Sequence, residues 1–209
     1  MDEIALPGTA VDVGANHGLY SYSLVRRGHP VVAFEPQPWC ARTLRGWAGE
    51  RVRVHEIGLS DCFDILPLQI PLDRNGRSSG LASLGTDEVE AEVIRVPVVP
   101  LDAFEMTDVS FMKIDVEGHE HRVLRGAERT IARCSPALLV EINAAKLNDD
   151  EIRERFDLIQ KFGYNGFFLN EDAWHPLSQY SIERFQRLRL GGDESAPLVY
   201  NFVFRHRAK

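Results

Sequence analysis

The chain has 209 residues, enough to bury a sizeable core in one domain and short for two. Hydrophobic residues make up 44% and charged residues 26%, with 16 Gly and 11 Pro, which excludes collagen, coiled coil and wholesale disorder. The 31 acidic residues outweigh the 24 basic ones, giving a net charge of -7, which disfavours a protein built to grip nucleic acid or an anionic membrane surface.

Met1-Asp2-Glu3-Ile4 carries no basic leader, and no apolar run approaches the roughly 18 residues of a membrane span, so a cytoplasmic location is expected. Cys40, Cys62 and Cys134 lack the spacing of a zinc site or disulfide framework and read as reduced, mostly buried thiols.

Along the chain, strand alternates with helix. Ala10 to Val13 is a short apolar strand ending at Gly14, and the following segment, rich in Leu19, Tyr20, Tyr22, Leu24 and Val25, stops at Gly28 and Pro30. Val31 to Phe34 forms a second strand closed by Glu35-Pro36, and Trp39, Thr43 and Trp47 recur at helical spacing after it. Val52 to Ile57 alternates as a third strand and runs into Gly58-Leu59-Ser60-Asp61. Residues 62–100 break the pattern: Pro67, Pro71, an Asn75-Gly76 turn, Ser78-Ser79-Gly80 and Val96-Pro97-Val98-Val99 predict a β-hairpin insertion, of the kind that shapes a substrate pocket.

Phe111 to Asp115 reads as a fourth strand, leading into a helix with Val123, Leu124, Ala127 and Ile131 on its inner face. Ala137 to Glu141 is a fifth, apolar on both faces, and Ile152, Phe156, Ile159 and Phe162 mark an amphipathic helix ending at Gly163. Phe167 to Leu169 and a final strand from Leu198 to Phe204, entering antiparallel after a long loop, complete the chain. These units predict an α/β fold: a doubly wound, mostly parallel sheet with helices on both faces.

In such a sheet the ligand lies beyond the carboxyl ends of the strands, so the loop Asp12-Val13-Gly14-Ala15-Asn16-His17-Gly18 is decisive. A dinucleotide fingerprint requires glycine at 14, 16 and 19; Asn16 and Leu19 replace two of them, so a pyrophosphate fits poorly. Glu35 can still accept hydrogen bonds from both hydroxyls of a ribose, which describes S-adenosylmethionine. The plain alternative is a tight turn capped by Asn16, with Glu35 a surface acid.

Asp12 to Gly18, Ala33-Phe34-Glu35-Pro36, Leu101-Asp102, Lys113-Ile114-Asp115-Val116-Glu117-Gly118-His119-Glu120, Gly126-Ala127 and Val140-Glu141 together resemble the signature of the FkbM-type methyltransferases, in order from about residue 11 to 164. The resemblance implies a seven-stranded, Rossmann-like S-adenosylmethionine-dependent methyltransferase acting on a hydroxyl of a sugar, glycan or polyketide. It implies that Asp12, Gly14, Asn16 and Gly18 surround the methionine portion, that Glu35 holds the ribose, and that Ser60 and Asp61 lie near adenine. Only about ten residues precede the first predicted strand, fewer than in many such proteins, so no N-terminal cover over the cofactor is expected. The whole chain is expected to be one methyltransferase domain: a cofactor core over about 10–164, the hairpin insertion within it, and a C-terminal strand region over about 164–205.

A methyl transfer to an alcohol needs a base. Asp115, Glu117, His119 and His121 follow the fourth strand, and Glu141 with Asn143 ends the fifth; if these strands are neighbours, about 4.8 Å apart, Asp115 and Glu141 converge on one cleft. In the favoured reading His119, Asp115 or Glu141 is the general base and no metal is bound. Less favoured is a divalent metal on Asp115, Glu141 and Asn143; the bland reading has Asp115 and Glu117 capping the next helix and Glu141 in a buried hydrogen bond. Tyr20 and Tyr22 are candidates to face a sulfonium or simply to pack, His17 to reach the acceptor, and Arg184, Arg187 and Arg189 to steer an anionic acceptor or form a solvated face.

The reading is an O-methyltransferase for a small molecule or glycan, with no nucleic-acid partner. Its rivals are a nicotinamide-dependent oxidoreductase and a binding module without turnover.

Overall fold

The computed structural model describes residues 7–73, 76–77, 80, 82–84 and 91–208, without the side chains of 73, 76 and 77. Five strands form a parallel core: β1 (Thr9–Val13), β2 (Val31–Phe34), β3 (Val52–His55), β8 (Val109–Ile114) and β9 (Ala137–Glu141). Four strands intervene in the chain, two short and two long: β4 (Gly58–Leu59), β5 (Asp64–Asp73), β6 (Gly76–Arg77) and β7 (Ala91–Val99). The C-terminal part adds β10 (Tyr164–Asn170), β11 (Ala173–Pro176) and β12 (Asn201–His206). The main sheet runs β11-β10-β12-β9-β8-β1-β2-β3, with β12 antiparallel to both of its neighbours. It therefore has eight strands where seven were expected. The extra strand is β11, a polar-flanked segment whose Trp174 pairs with Leu169 across a hairpin turned by Glu171 and Asp172, both left-handed.

The chain runs outward from β1 to β3, then returns to the other side of β1 at β8, so strand order reverses between β1 and β8. That crevice is where an open α/β sheet holds its ligand. Helices α1 (Leu19–Arg26) and α2 (Pro38–Ala48) cover one face, burying Leu24 and Leu44 with Ala10, Ala33 and Phe111. The stripe that α2 buries is Cys40, Ala41, Leu44 and Ala48; Thr43, one of the residues that marked the helix by its spacing, is exposed.

On the other face, α3 (Glu120–Arg125), α4 (Glu128–Cys134) and α5 (Asp149–Lys161) bury Val123, Leu124, Ala127, Ile131, Ile152, Phe156 and Ile159 against Met112, Leu138, Val140, Phe202 and Phe204. The single helix expected after the fourth strand is thus two. The break falls at Gly126, where a Cβ would stand 1.9 Å from the Ser60 carbonyl oxygen, so only glycine lets the chain pass the end of β4. Asp102 caps α4 from a distant loop, accepting the N–H groups of Arg129 and Thr130 and the Thr130 hydroxyl. Asn148 and Glu151 form a reciprocal capping box at the start of α5.

Within residues 62–100, β5 and β7 pair antiparallel from Asp64–Val98 to Pro71–Ala91, and with β4 and β6 they make a second sheet around Leu68, Ile70, Val96 and Val98. Asn75, Ser78 and Ser79, expected in its turns, lie outside the described residues. The last strand starts at Asn201; Leu198 and Tyr200, expected within it, precede it. Cys40 is buried and Cys134 partly so, but Cys62 is exposed, contrary to expectation.

Candidate active site

A cavity of about 440 Å³ opens over the carboxyl ends of β1, β2, β8 and β9. This is within the range of small-molecule sites. Its floor is the loop after β1, from Val13 to His17; its far wall is Leu59, Leu68, Ala82 and Leu84 of the second sheet; its near wall holds Tyr20, Lys113, Asp115, Glu117, Glu141 and Tyr200.

The loop is built for close approach. Gly14 is left-handed (φ 75), and a Cβ there would lie 1.8 Å from the Asp115 carbonyl oxygen. Gly14→Ala is expected to push the β1 and β8 loops apart and cost about 2–4 kcal/mol in urea unfolding, as overpacking and backbone strain combine. Asn16 is also left-handed, and its backbone N–H donates to Glu35 Oε2 at 2.6 Å, while Gln37 N–H donates to Oε1 at 2.9 Å. Glu35 is only 2% exposed yet lines the cavity. Burial pushes its carboxyl up, against the two N–H donors that favour the charged form. Each oxygen keeps acceptor capacity beyond its one N–H, so this group is not a surface acid.

Asp12 and Gly18 do not face the cavity. Asp12 is buried, accepting the Ser21 hydroxyl at 2.7 Å and so pinning α1 to β1. Gly18, left-handed before α1, lies where a Cβ would strike Leu44 and Trp47. Tyr22 packs edge-on against Trp47, whereas Tyr20 faces the cavity with Lys113 Nζ 4.7 Å above its ring.

β8 and β9 are parallel neighbours in the register Ile114 to Val140, so Asp115 and Glu141, one residue further on, stand side by side as expected from the strand pairing. Glu117 joins them: one oxygen from each of the three carboxylates lies within 4.8 Å of the others. Burial, then the charges of Asp115 and its neighbours, push Glu117 up to about 7 and Glu141 up to about 8. Lys113, buried beneath, pairs with Asp115 at 3.0 Å and Asp12 at 3.8 Å and donates to the Gly14 carbonyl. Neither Asp115 nor Glu117 caps α3, and Asn143 turns away to accept the Ala145 N–H.

A carboxyl raised on folding stabilises the fold fully below its unfolded value near 4.5, and that contribution disappears as pH rises through about 8. Glu141→Gln is therefore expected to leave stability at pH 4 unchanged and raise it by about 1 kcal/mol at pH 9, given the solvent screening of a partly exposed group. Thermal unfolding at the two pH values checks this.

The structure does not bring His119, Ser60 and Asp61 to the cavity. His119 begins α3 with its ring buried against β4, Nε2 lying 3.0 Å from the Ser60 hydroxyl, and burial with Arg122 nearby lowers it to about 4. Enclosed against β4 and absent from the cavity lining, this ring does not face the space where an acceptor would sit. Ser60 is fully buried, and Asp61 pairs with Arg122 outside; Gly58 and Leu59 line the cavity instead. Arg184, Arg187 and Arg189 are likewise absent from its lining among the described residues. Arg187 holds Asp149 and the Ala144 and Leu147 carbonyls. His17 does line the cavity.

Glu117, named from sequence in the cluster after the fourth strand, joins the site, and Lys113 and Tyr200 complete it beyond the candidates proposed from sequence. The charge on Lys113 inside an otherwise apolar strand was the available signal for it; Tyr200 had none, lying in an irregular segment ahead of β12.

Among the described residues no helix is long and apolar enough to cross a membrane. No curated protein sequence matches the chain. Among solved structures, the FkbM methyltransferase of Methylobacillus flagellatus KT superposes with TM-score 0.58 at 19% identity, over 95% of this chain and 43% of that one. This chain thus spans less than half of that protein's length. A precorrin-6y C5,15-methyltransferase of Geobacter metallireducens GS-15 gives 0.52 at 11% identity, over 98% of this chain and 83% of that one. An rRNA methylase of Streptococcus thermophilus gives 0.51 at 12%, over 99% and 91%. At such identities the likeness is one of fold. The sequence matches the methyltransferase FkbM domain over residues 12–165, about three quarters of its length, and the chain belongs to the FkbM methyltransferase family.

Proposed function

We propose that the chain is an S-adenosylmethionine-dependent O-methyltransferase acting on a hydroxyl of a sugar, glycan or polyketide-type acceptor. The observation that carries this reading is a single cavity with a buried ribose-type acceptor, Glu35, at one end and the carboxylates of Asp115, Glu117 and Glu141 at the other. The residues fit the cofactor: Glu35 retains acceptor capacity for two ribose hydroxyls, and Gly14 and Asn16 bring bare backbone to the cavity floor. Gly58 and Leu59 take the adenine side in place of Ser60 and Asp61. Bound there, S-adenosylmethionine supplies an activated methyl group on a sulfonium.

The chain's own residues then orient the acceptor and take its proton. Glu141, raised to about 8, is basic enough to receive the proton of a hydroxyl and is the assigned general base. Asp115, held by Lys113, positions the acceptor beside it. Leu68, Ala82 and Leu84 exclude water and present an apolar wall to the acceptor. The net charge of -7 supports a small molecule or glycan over RNA, and three cysteines outside any disulfide suit a reducing, cytoplasmic setting. The chain is read as one domain throughout.

The test is a labelled-methyl screen over sugars, glycans, macrolides and RNA. Label on a hydroxyl of one of the first three supports the reading; label found solely on RNA or on nitrogen overturns it. The close carboxylate trio also favours a second reading, a divalent metal bound there. Turnover that survives exhaustive chelation sinks that alternative, and loss restored by Mg²⁺ establishes it.

A further inference from the structure

Beyond the end of β9 the chain leaves the sheet, yet the last strand residue, Glu141, must be held at the cavity. The residues after it, 142–149, are irregular except for the start of α5. Opposite them lies a π-helical turn, Glu183–Arg187, which lies outside the span matched by the family. Its wide pitch puts two consecutive side chains, Phe185 and Gln186, into the interior.

Gln186 is completely buried. Its carbonyl oxygen accepts the Ala144 N–H, and its amide nitrogen lies 2.9 Å from the Ile142 carbonyl, 2.9 Å from the Val199 carbonyl and 2.7 Å from the Tyr180 hydroxyl. Tyr180 in turn donates to Val199, and Ile142 N–H donates to the Tyr200 carbonyl. One amide thus joins Ile142, which follows Glu141, to Val199, which precedes Tyr200. Both neighbours line the cavity.

A buried amide so fully used is costly to place and costly to lose. Apolar packing alone would close this gap at lower cost, but it would take from the Ile142 carbonyl its Gln186 donor and leave Val199 with the Tyr180 hydroxyl. The Glu141–Asn201 pairing and the Ile142–Tyr200 backbone bond would remain, but the stretch beyond them would lose its side-chain tie at Ala144, Ile142 and Val199.

We infer that Gln186 is a positioning residue that locks the Glu141 and Tyr200 segments together and so sets the geometry of the acceptor side of the site. Resting on the functional reading above, this adds a residue that touches neither cofactor nor acceptor. The cofactor side, built from Gly14, Asn16 and Glu35, is held by separate bonds and is independent of it.

The test uses Gln186→Met, which keeps length and removes every bond, and Gln186→Glu, which keeps the acceptor for Ala144 N–H and loses the donors. Each is examined by calorimetry with S-adenosylhomocysteine and by carboxyl ¹³C NMR of labelled glutamate, with Glu141 assigned through Glu141→Gln. The expected result is cofactor-product affinity within about twofold of wild type and a Glu141 titration midpoint moved by about half a pH unit or more. An unmoved Glu141 resonance in a folded variant overturns the inference. Should neither variant fold, the wild type decides: Ala144 amide and Gln186 side-chain protons should exchange at least about a hundredfold more slowly than exposed amides. Rapid exchange also overturns it. Failure of the wild type to bind S-adenosylhomocysteine would count against the functional reading instead, leaving the NMR result on Gln186 standing.

Discussion

Arg155→Met is expected to cost about 3–5 kcal/mol of stability, because it strands a buried carboxylate. Arg155 and Glu120 are 6% and 3% exposed and pair at 3.0 Å. Burial already pushes the Glu120 carboxyl up despite Arg155, so removing the guanidinium leaves it to protonate or stay charged without a partner. The pair also grips one residue from both sides: Glu120 Oε1 accepts the Gly118 N–H at 2.7 Å, and Arg155 donates to the Gly118 carbonyl at 2.6 Å. Gly118 and Glu117 are both left-handed, so the loop that carries Glu117 into the cavity depends on this clamp. The double replacement Glu120→Gln with Arg155→Met should recover part of the loss, since no charge is then stranded. Urea unfolding of the three variants measures it. A single variant as stable as wild type would show that the clamp contributes nothing.

Glu141→Gln should lower turnover by about 10²–10⁴-fold, the usual worth of a positioned base, with little change in affinity for S-adenosylhomocysteine. In the wild type, turnover should rise as pH passes through about 8, where Glu141 loses its proton, and the variant should lack that limb. Asp115→Asn should also slow the reaction, since Lys113 then loses its closest partner and the acceptor its positioning carboxylate. His119→Ala should leave the pH dependence of turnover in place while weakening the fold, because that ring serves Ser60 and the end of β4. Initial rates from pH 6 to 9 separate these outcomes.

How much of this was legible in the sequence follows from periodicity. The parallel core strands and α5 were visible because the strands are short apolar runs, or in β3 alternate, and one stripe of the helix is apolar. Asp115 and Glu141 were placed correctly because adjacency of two strand ends fixes where the next side chain points. His119 was misread for a reason that spacing cannot show: four residues past Asp115 the chain has turned through a left-handed Glu117-Gly118 pair into α3, which carries the ring behind the loop instead of over it. Ser60 and Asp61 were misplaced because the third strand was read as continuous, whereas it breaks after His55 and resumes as β4 in another sheet. Gln186 lies in a segment with no regular period, Tyr200 was read as part of the last strand and not as a lining residue, and the roles of both exist only once the chain has folded.

Calorimetry of the purified chain with S-adenosylhomocysteine and with NAD tests the central claim most directly. The account requires saturable binding of S-adenosylhomocysteine, weakened by about 1–3 kcal/mol in Glu35→Ala as charge-assisted hydrogen bonds are lost, and no comparable response to NAD. Tight binding of NAD with none of S-adenosylhomocysteine, or an affinity indifferent to Glu35, would contradict it.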